Sequence, residues 1–332
     1  MKKYSFLILL ATILFALSSH GMPCVVSGCD GHPIVYAHVY DNEGHLIGLT
    51  DMNGQLPSEC YKGQAILIYQ PAYYPIETNI GNVEKIEMRP AGVYPLPQET
   101  STEGKSHLWI RTYWRSYVVS DEGIAYIEDG VNDCFFSLSN KKVSESEIWL
   151  RSMQPSDPTD GEKKLSFMTV ANGAASALSP YESLSKMTTE EKQEFVIKGF
   201  ASITEDTIAG ISEMHVDGTK MLLNHSIPLL FTGMSIKEMK ISETFAFRPT
   251  FSLWDILVRQ SSLSISYKNK VTKEKKKARL INEVFYLERA YVSKEEMKEI
   301  KKGAEKEVPA NTVPKGVAPL PKQLAKKVEG FV

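Results

Sequence analysis

The sequence predicts a mainly β protein in two parts. A small antiparallel β-sandwich comes first, followed by an α+β domain with a large antiparallel sheet and two or more helices. Three observations carry this expectation. Residues 23–98 break into short runs rich in β-branched and aromatic residues, separated by Asp30-Gly31, Glu43-Gly44, Asn53-Gly54, Lys62-Gly63 and Gly81-Asn82. Beyond residue 106 the runs lengthen and alternate, as Leu263, Ile265 and Tyr267 do. Two capping-box patterns, Thr188-Thr-Glu-Glu191 and Ser293-Lys-Glu-Glu296, mark helix starts.

Taken in order, residues 1–21 read as a signal peptide. Lys2 and Lys3 precede an apolar run from Phe6 to Leu17, and small residues follow at Ser18, Ser19 and Gly21. The run is too short for a membrane span, and no later segment is long and apolar enough to be one, so the mature chain is expected to be soluble. Pro23 before Cys24 argues against a lipid-anchored cysteine.

Residues 22–98 form the first domain. Its expected strands are Val25-Val26, Ile34 to Tyr40, Leu46 to Leu49, Ala65 to Tyr69, Ile76 to Ile80 and Lys85 to Met88. Period-2 alternation puts Ile34, Tyr36, His38 and Tyr40 on one face, and Val35, Ala37 and Val39 on the other, core-facing side. Residues 99–106 read as a linker. The second domain, 107–305, opens with extended aromatic-rich runs at 107–119 and 123–138, and a helix is expected over 188–198. Asp217-Gly218 gives a hairpin signal; long strands are expected at 236–247, 251–267 and 278–292, and a last helix from Ser293. Lysine- and proline-rich residues 306–332 read as a flexible tail.

The chain of 332 residues is 42% hydrophobic and 23% charged with a formal net charge of −2, which excludes the basic profile of a nucleic-acid binder. Its four cysteines, Cys24, Cys29, Cys60 and Cys134, are too sparse for a disulfide framework. They leave room for one bridge in the first domain, with the pairing open. No CxxC or CxxH spacing suggests a metal site.

Candidate chemistry is thin. Asp41-Asn-Glu-Gly44 and Asp51-Met-Asn-Gly54 invite a calcium-loop reading, but placing either glycine at the sixth loop position puts Val39 or Leu49 first and Thr50 or Cys60 last. An EF-hand needs oxygen ligands first and a bidentate Glu last, so turn chemistry explains these residues better. His32, His38 and His45 define no site by spacing, and His215 with His225 lacks a third zinc ligand. GxSxG is absent; Ser183-Leu-Ser-Lys186 matches SxxK without its companion motifs, and Cys134 sits in an apolar run as a buried thiol. Lys270 to Arg279 reads as a solvated hairpin tip. Trp109-Ile-Arg-Thr-Tyr-Trp-Arg115 reads as a strand with core on one face and cover on the other. No catalytic, cofactor-binding or metal-ligating residue is assigned.

The segments Gly28-Cys-Asp-Gly-His-Pro33-Ile34, Ala37-His-Val39, Gly48-Leu-Thr50-Asp51 and Asn53-Gly54-Gln-Leu56 carry a recognisable order. Over about 70 residues, continuing through Ala65 to Tyr69 and Tyr73-Tyr74, this region resembles the carboxypeptidase regulatory-like domain. Leu56 stands where Phe is commoner, and Ala72 where Gly is usual. The resemblance implies a transthyretin-like β-sandwich without a catalytic site of its own, found at the N-terminus of exported envelope proteins of Gram-negative bacteria. The following stretch, Ile110 to Arg115 and Tyr126 to Phe136, is similar to segments of uncharacterised envelope proteins. The expected function is that of an exported, non-enzymatic accessory or binding module of the periplasm or outer membrane, with an envelope protein, glycan or lipid as partner. The alternative is an exported hydrolase with its active site in 107–305.

Overall fold

The computed structural model describes residues 22–81, 83–91, 101–120, 123–140, 142–153, 201–219, 234–246, 253–268 and 274–304, with isolated positions elsewhere. Among them the protein is mainly β, with fourteen strands and one helix. Six short strands come first: β1 (Cys24–Ser27), β2 (His38–Asp41), β3 (Leu46–Leu49), β4 (Ala65–Tyr69), β5 (Ile76–Asn79) and β6 (Lys85–Met88). They form a four-stranded antiparallel sheet in the order β3-β2-β4-β5 and a parallel pair, β1 with β6. All six expected runs contain a strand. The parallel pair corrects the purely antiparallel expectation.

The expected strand from Ile34 to Tyr40 is shortened at its start, because Tyr36 has φ 58° and turns the chain. An L-residue bearing a Cβ rarely holds that conformation unless its surroundings demand it. Ala37 and Val39 enter a core with Val25, Ile66, Ile68, Ile86 and Met88, as the alternation anticipated, but Ile34 joins that core instead of the opposite face, because the turn at Tyr36 breaks the alternation. The opposite face is equally buried: His38 and Tyr40 are both fully covered.

The eight remaining strands build one open antiparallel sheet. They are β7 (His107–Ser120), β8 (Gly123–Ser137), β9 (Val143–Met153), β10 (Ala201–Asp206), β11 (Ile211–Asp217), β12 (Met234–Ala246), β13 (Ile256–Lys268) and β14 (Lys275–Val292). The order β10-β11-β12-β13-β14-β7-β8-β9 is two consecutive meanders joined by pairing β14 with β7. The hairpin expected at Asp217-Gly218 is not formed. Asp217 pairs with Lys240, and its Oδ1 instead accepts the Thr219 N–H at 3.0 Å.

Helix α1 (Lys294–Ala304) begins as its capping box specifies: the Glu296 N–H donates to Ser293 Oγ at 3.2 Å, and the Ser293 N–H donates to Glu296 Oε2 at 2.6 Å. Among the described residues it is the one helix, against two or more expected; the 188–198 segment lies outside them, apart from single positions. No described helix is long and apolar enough to cross a membrane. The end of the expected linker is tied in, with the Ser106 N–H donating to the Val292 carbonyl at 2.9 Å. In the segment read as a flexible tail, Leu324 is fully buried among Tyr40, Leu67, Tyr69 and Tyr117, with Leu320 beside it. Apolar side chains spaced by four residues among the lysines and prolines supply that anchor. All four cysteines are thiols, so the bridge allowed in the first domain is not made.

Candidate functional site

Strand pairing lines up one polar residue from every strand of the large sheet. The row runs Ser202, His215, Ser242, Gln260, Glu283, Arg115, Asp129, Arg151, each directly opposite the next. Polar side chains in register across a sheet read from sequence as a solvated face. Here side chains of the short strands β1–β6 and their turns lie against the row, and most of it is buried.

The contacts run along the row in order. Ser202 Oγ lies 3.4 Å from Met52 Sδ, the Tyr36 ring meets His215 edge-on, His38 Nδ1 lies 3.4 Å from Gln260 Nε2, and Tyr69 reaches Glu283 and Arg115. The face of Tyr36, His38 and Tyr40 is therefore a docking face. Sequence reasoning assigned its geometry and missed its partner.

At the centre, Arg115 Nε donates to Glu283 Oε2 at 2.5 Å, and Arg115 Nη2 donates to Tyr69 Oη. Tyr69 Oη in turn donates to Glu283 Oε2 at 3.0 Å, and Tyr117 Oη donates to Oε1 at 2.8 Å. Glu283 is thus held by three donors, which offsets the cost of burying its charge. Asp129 is similarly occupied, by Tyr113 Oη at 2.8 Å and Arg151 Nε at 2.8 Å. His38 stays neutral: burial first, and then the Arg279 charge, push its pKa down to about 3.

At the β10–β11 end the row continues into a chain of titratable groups. Ser242 Oγ lies 3.0 Å from His215 Nδ1, and His215 Nε2 lies 3.4 Å from Glu213 Oε2. That same oxygen is 3.7 Å from His32 Nε2, and His32 Nδ1 is 2.6 Å from Asp30 Oδ1. Asp206 stands alongside, accepting from Ser27 Oγ at 2.7 Å and from the Ile208 and Ala209 N–H groups. Burial alone would lower the His32 pKa, but Glu213 and Asp30 outweigh it and raise the ring to about 9. Burial alone would raise the Glu213 pKa; His215 and His32 outweigh it and hold the carboxyl at about 2. Asp30, His32 and Asp206 each place one ligand-type atom within 4.8 Å of the others.

The chain matches neither a known protein family nor a curated protein.

The remaining sequence candidates are accounted for singly. Both acidic glycine clusters are side-chain-braced turns: Asp41 Oδ1 accepts from the Glu43 and His45 N–H groups, and Asp51 Oδ1 from those of Asn53 and Gln55. Cys134 is buried, and that burial pushes its thiol up to about 12. Ser183, Lys186 and His225 lie outside the described residues. The structure brings His32 and His215 together through Glu213, a grouping their spacing concealed. Asp206 and Glu213 gave no signal, since lone acidic residues near strand ends are common on solvated faces.

Proposed function

We propose that this is an exported, non-enzymatic accessory protein of the Gram-negative cell envelope. In this reading its N-terminal unit is a transthyretin-like scaffold, and the larger unit presents the binding surface to an envelope protein, glycan or lipid. The observation that carries this reading is how the polar row is used. Arg115 and Glu283, at 1% and 0% exposure, are held by Tyr69 and Tyr117 rather than turned toward an opening. Groups so occupied build a fixed joint between two units and have no capacity left for substrate. The apolar leader supports export.

The experiment is fractionation of cells expressing the full chain, with mass measurement of the recovered protein and of co-purified small molecules. The expected product lies in the envelope fraction, is shortened by a leader ending near Ser18 or Gly21, and turns over no ester or peptide substrate. A full-length cytoplasmic product would overturn the localisation, and turnover dependent on residues 107–305 would overturn the non-enzymatic reading.

One observation favours the hydrolase alternative: Ser242, His215 and Glu213 stand in sequence within contact distance. All three are at most 3% exposed beneath the N-terminal unit, so attack on a substrate requires that unit to lift. Labelling of Ser242 by a fluorophosphonate probe, abolished in Ser242→Ala, would establish that reading over the first.

A further inference from the structure

We propose that Asp30, His32 and Asp206 form a binding site for a divalent transition metal of the zinc type, clamping the N-terminal unit to the β10 edge of the large sheet. The three residues come from two parts of the chain, the turn after β1 and the end of β10, and one ligand atom of each lies within 4.8 Å of the others. Tetrahedral coordination with bonds of about 2.0–2.2 Å needs ligand atoms roughly 3.4 Å apart. The three ligand atoms already lie within 4.8 Å of one another, and the 2.6 Å contact between Asp30 and His32 must open by roughly 0.8 Å to reach that spacing.

A second observation points independently to a cation. Glu213, 1% exposed, stands behind the cluster, with Oε2 3.7 Å from His32 Nε2, the ring nitrogen turned away from Asp30. A carboxylate behind the second ring nitrogen of a histidine is the arrangement that recurs behind metal-ligating imidazoles. Asp30, Asp206 and Glu213 bring three carboxylates against two imidazoles, His32 and His215, so acidic groups outnumber basic ones along the seam. A dication corrects that imbalance.

The donor set selects the metal. One imidazole with carboxylates suits zinc and its neighbours, whereas magnesium and calcium prefer all-oxygen shells and copper(I) prefers thiolates. Burial grades the site: Asp206 is buried, His32 half-buried and Asp30 exposed, so the metal enters from the Asp30 side and a water completes its shell there. Tyr73 Oη, 3.1 Å from His32 Nε2, then orients the ring through the nitrogen that does not bind the metal, with the Glu213 carboxylate behind it. The metal's role is to cross-link residues about 175 positions apart in the chain, stabilising the docked arrangement through binding to the folded form alone.

The test uses the untagged chain, stripped with chelator and titrated calorimetrically with zinc chloride, with magnesium chloride in parallel. We expect one zinc per chain, a raised unfolding temperature with zinc and none with magnesium, and a cobalt(II) visible spectrum typical of four-coordinate N/O ligands. His32→Gln and Asp206→Asn each weaken zinc binding at least tenfold. Because those positions are covered, Asp30→Asn at the exposed rim keeps the comparison valid if either variant misfolds, and it also loses at least tenfold. Zinc binding that is absent in the folded wild-type chain, or unchanged in folded Asp30→Asn and His32→Gln chains, overturns the proposal.

Discussion

The guanidinium of Arg115 lies against the carboxylate of Glu283, with Nε 2.5 Å from Oε2, in a space closed to solvent and shared with Tyr69 of the N-terminal unit. The pair belongs to the two strands that join the meanders, and its third partner comes from the docked unit. One ion pair therefore couples sheet closure to docking. Glu283→Gln keeps the shape but leaves Arg115 uncompensated, and a loss of about 3–5 kcal/mol is expected in denaturant titration. The paired replacement of Arg115 by Met and Glu283 by Leu should recover most of that loss, because the desolvation cost of both charges disappears together.

Stability should peak near pH 6.5 and fall on both sides. His32 has a folded pKa raised from 6.5 to about 9, so its contribution is complete below 6.5 and is lost as pH rises through 9. His38 is depressed from 6.5 to about 3, so its contribution is present above 6.5 and lost as pH falls through 3. Glu213, depressed from 4.5 to about 2, adds to the acid limb below 4.5. Unfolding temperatures measured across pH 3–10 check this. His32→Gln should flatten the alkaline limb and His38→Gln the upper part of the acid limb.

Gly54 has φ +71°, and a Cβ there would stand 2.4 Å from the Val25 carbonyl oxygen. Gly63 has φ +85° with nothing within 4 Å of that position. Gly63→Ala should cost only the left-handed penalty, about 1–2 kcal/mol. Gly54→Ala should cost about 1–3 kcal/mol more, because backbone must move. The difference between the two variants isolates the packing of the Asp51–Gly54 turn against β1.

Leu324 is fully buried among side chains of β2, β4 and β7. Leu324→Ala should therefore destabilise the protein by about 2–5 kcal/mol, as for any core leucine. A solvated tail would give no change within about 0.5 kcal/mol. Chemical denaturation of the two chains decides between these outcomes.

Much of the N-terminal unit was legible because its information is local. Asp51 and Gly54 specify a turn through their own side chain and backbone freedom, and Ser293 with Glu296 specifies a helix start within four residues. The joint was not legible. Alternation along Tyr36, His38 and Tyr40 says which side chains share a face, but nothing local says that another sheet covers it. Arg115 and Glu283 are 168 positions apart, and each alone resembles any strand residue on a wet face. The clustering of Asp30 and His32 with Asp206 was hidden for the same reason, and β10 itself is too short and polar to announce a strand. His215 was noticed, but for a hairpin that is not formed.

The strand order also carries a schedule. Strands β7, β8 and β9 can pair as soon as they exist, and β10 through β13 likewise, yet the two groups meet only through β14 beside β7, where Val292 faces His107. A chain delivered from its N-terminus must carry an open β7 edge until nearly three hundred residues have arrived. Long-range closure of this kind is slow, and an exposed edge of fourteen residues invites pairing with other chains in the meantime. Chains stopped before residue 275 should therefore aggregate rather than fold in part, and the last strand sets the pace for the whole molecule.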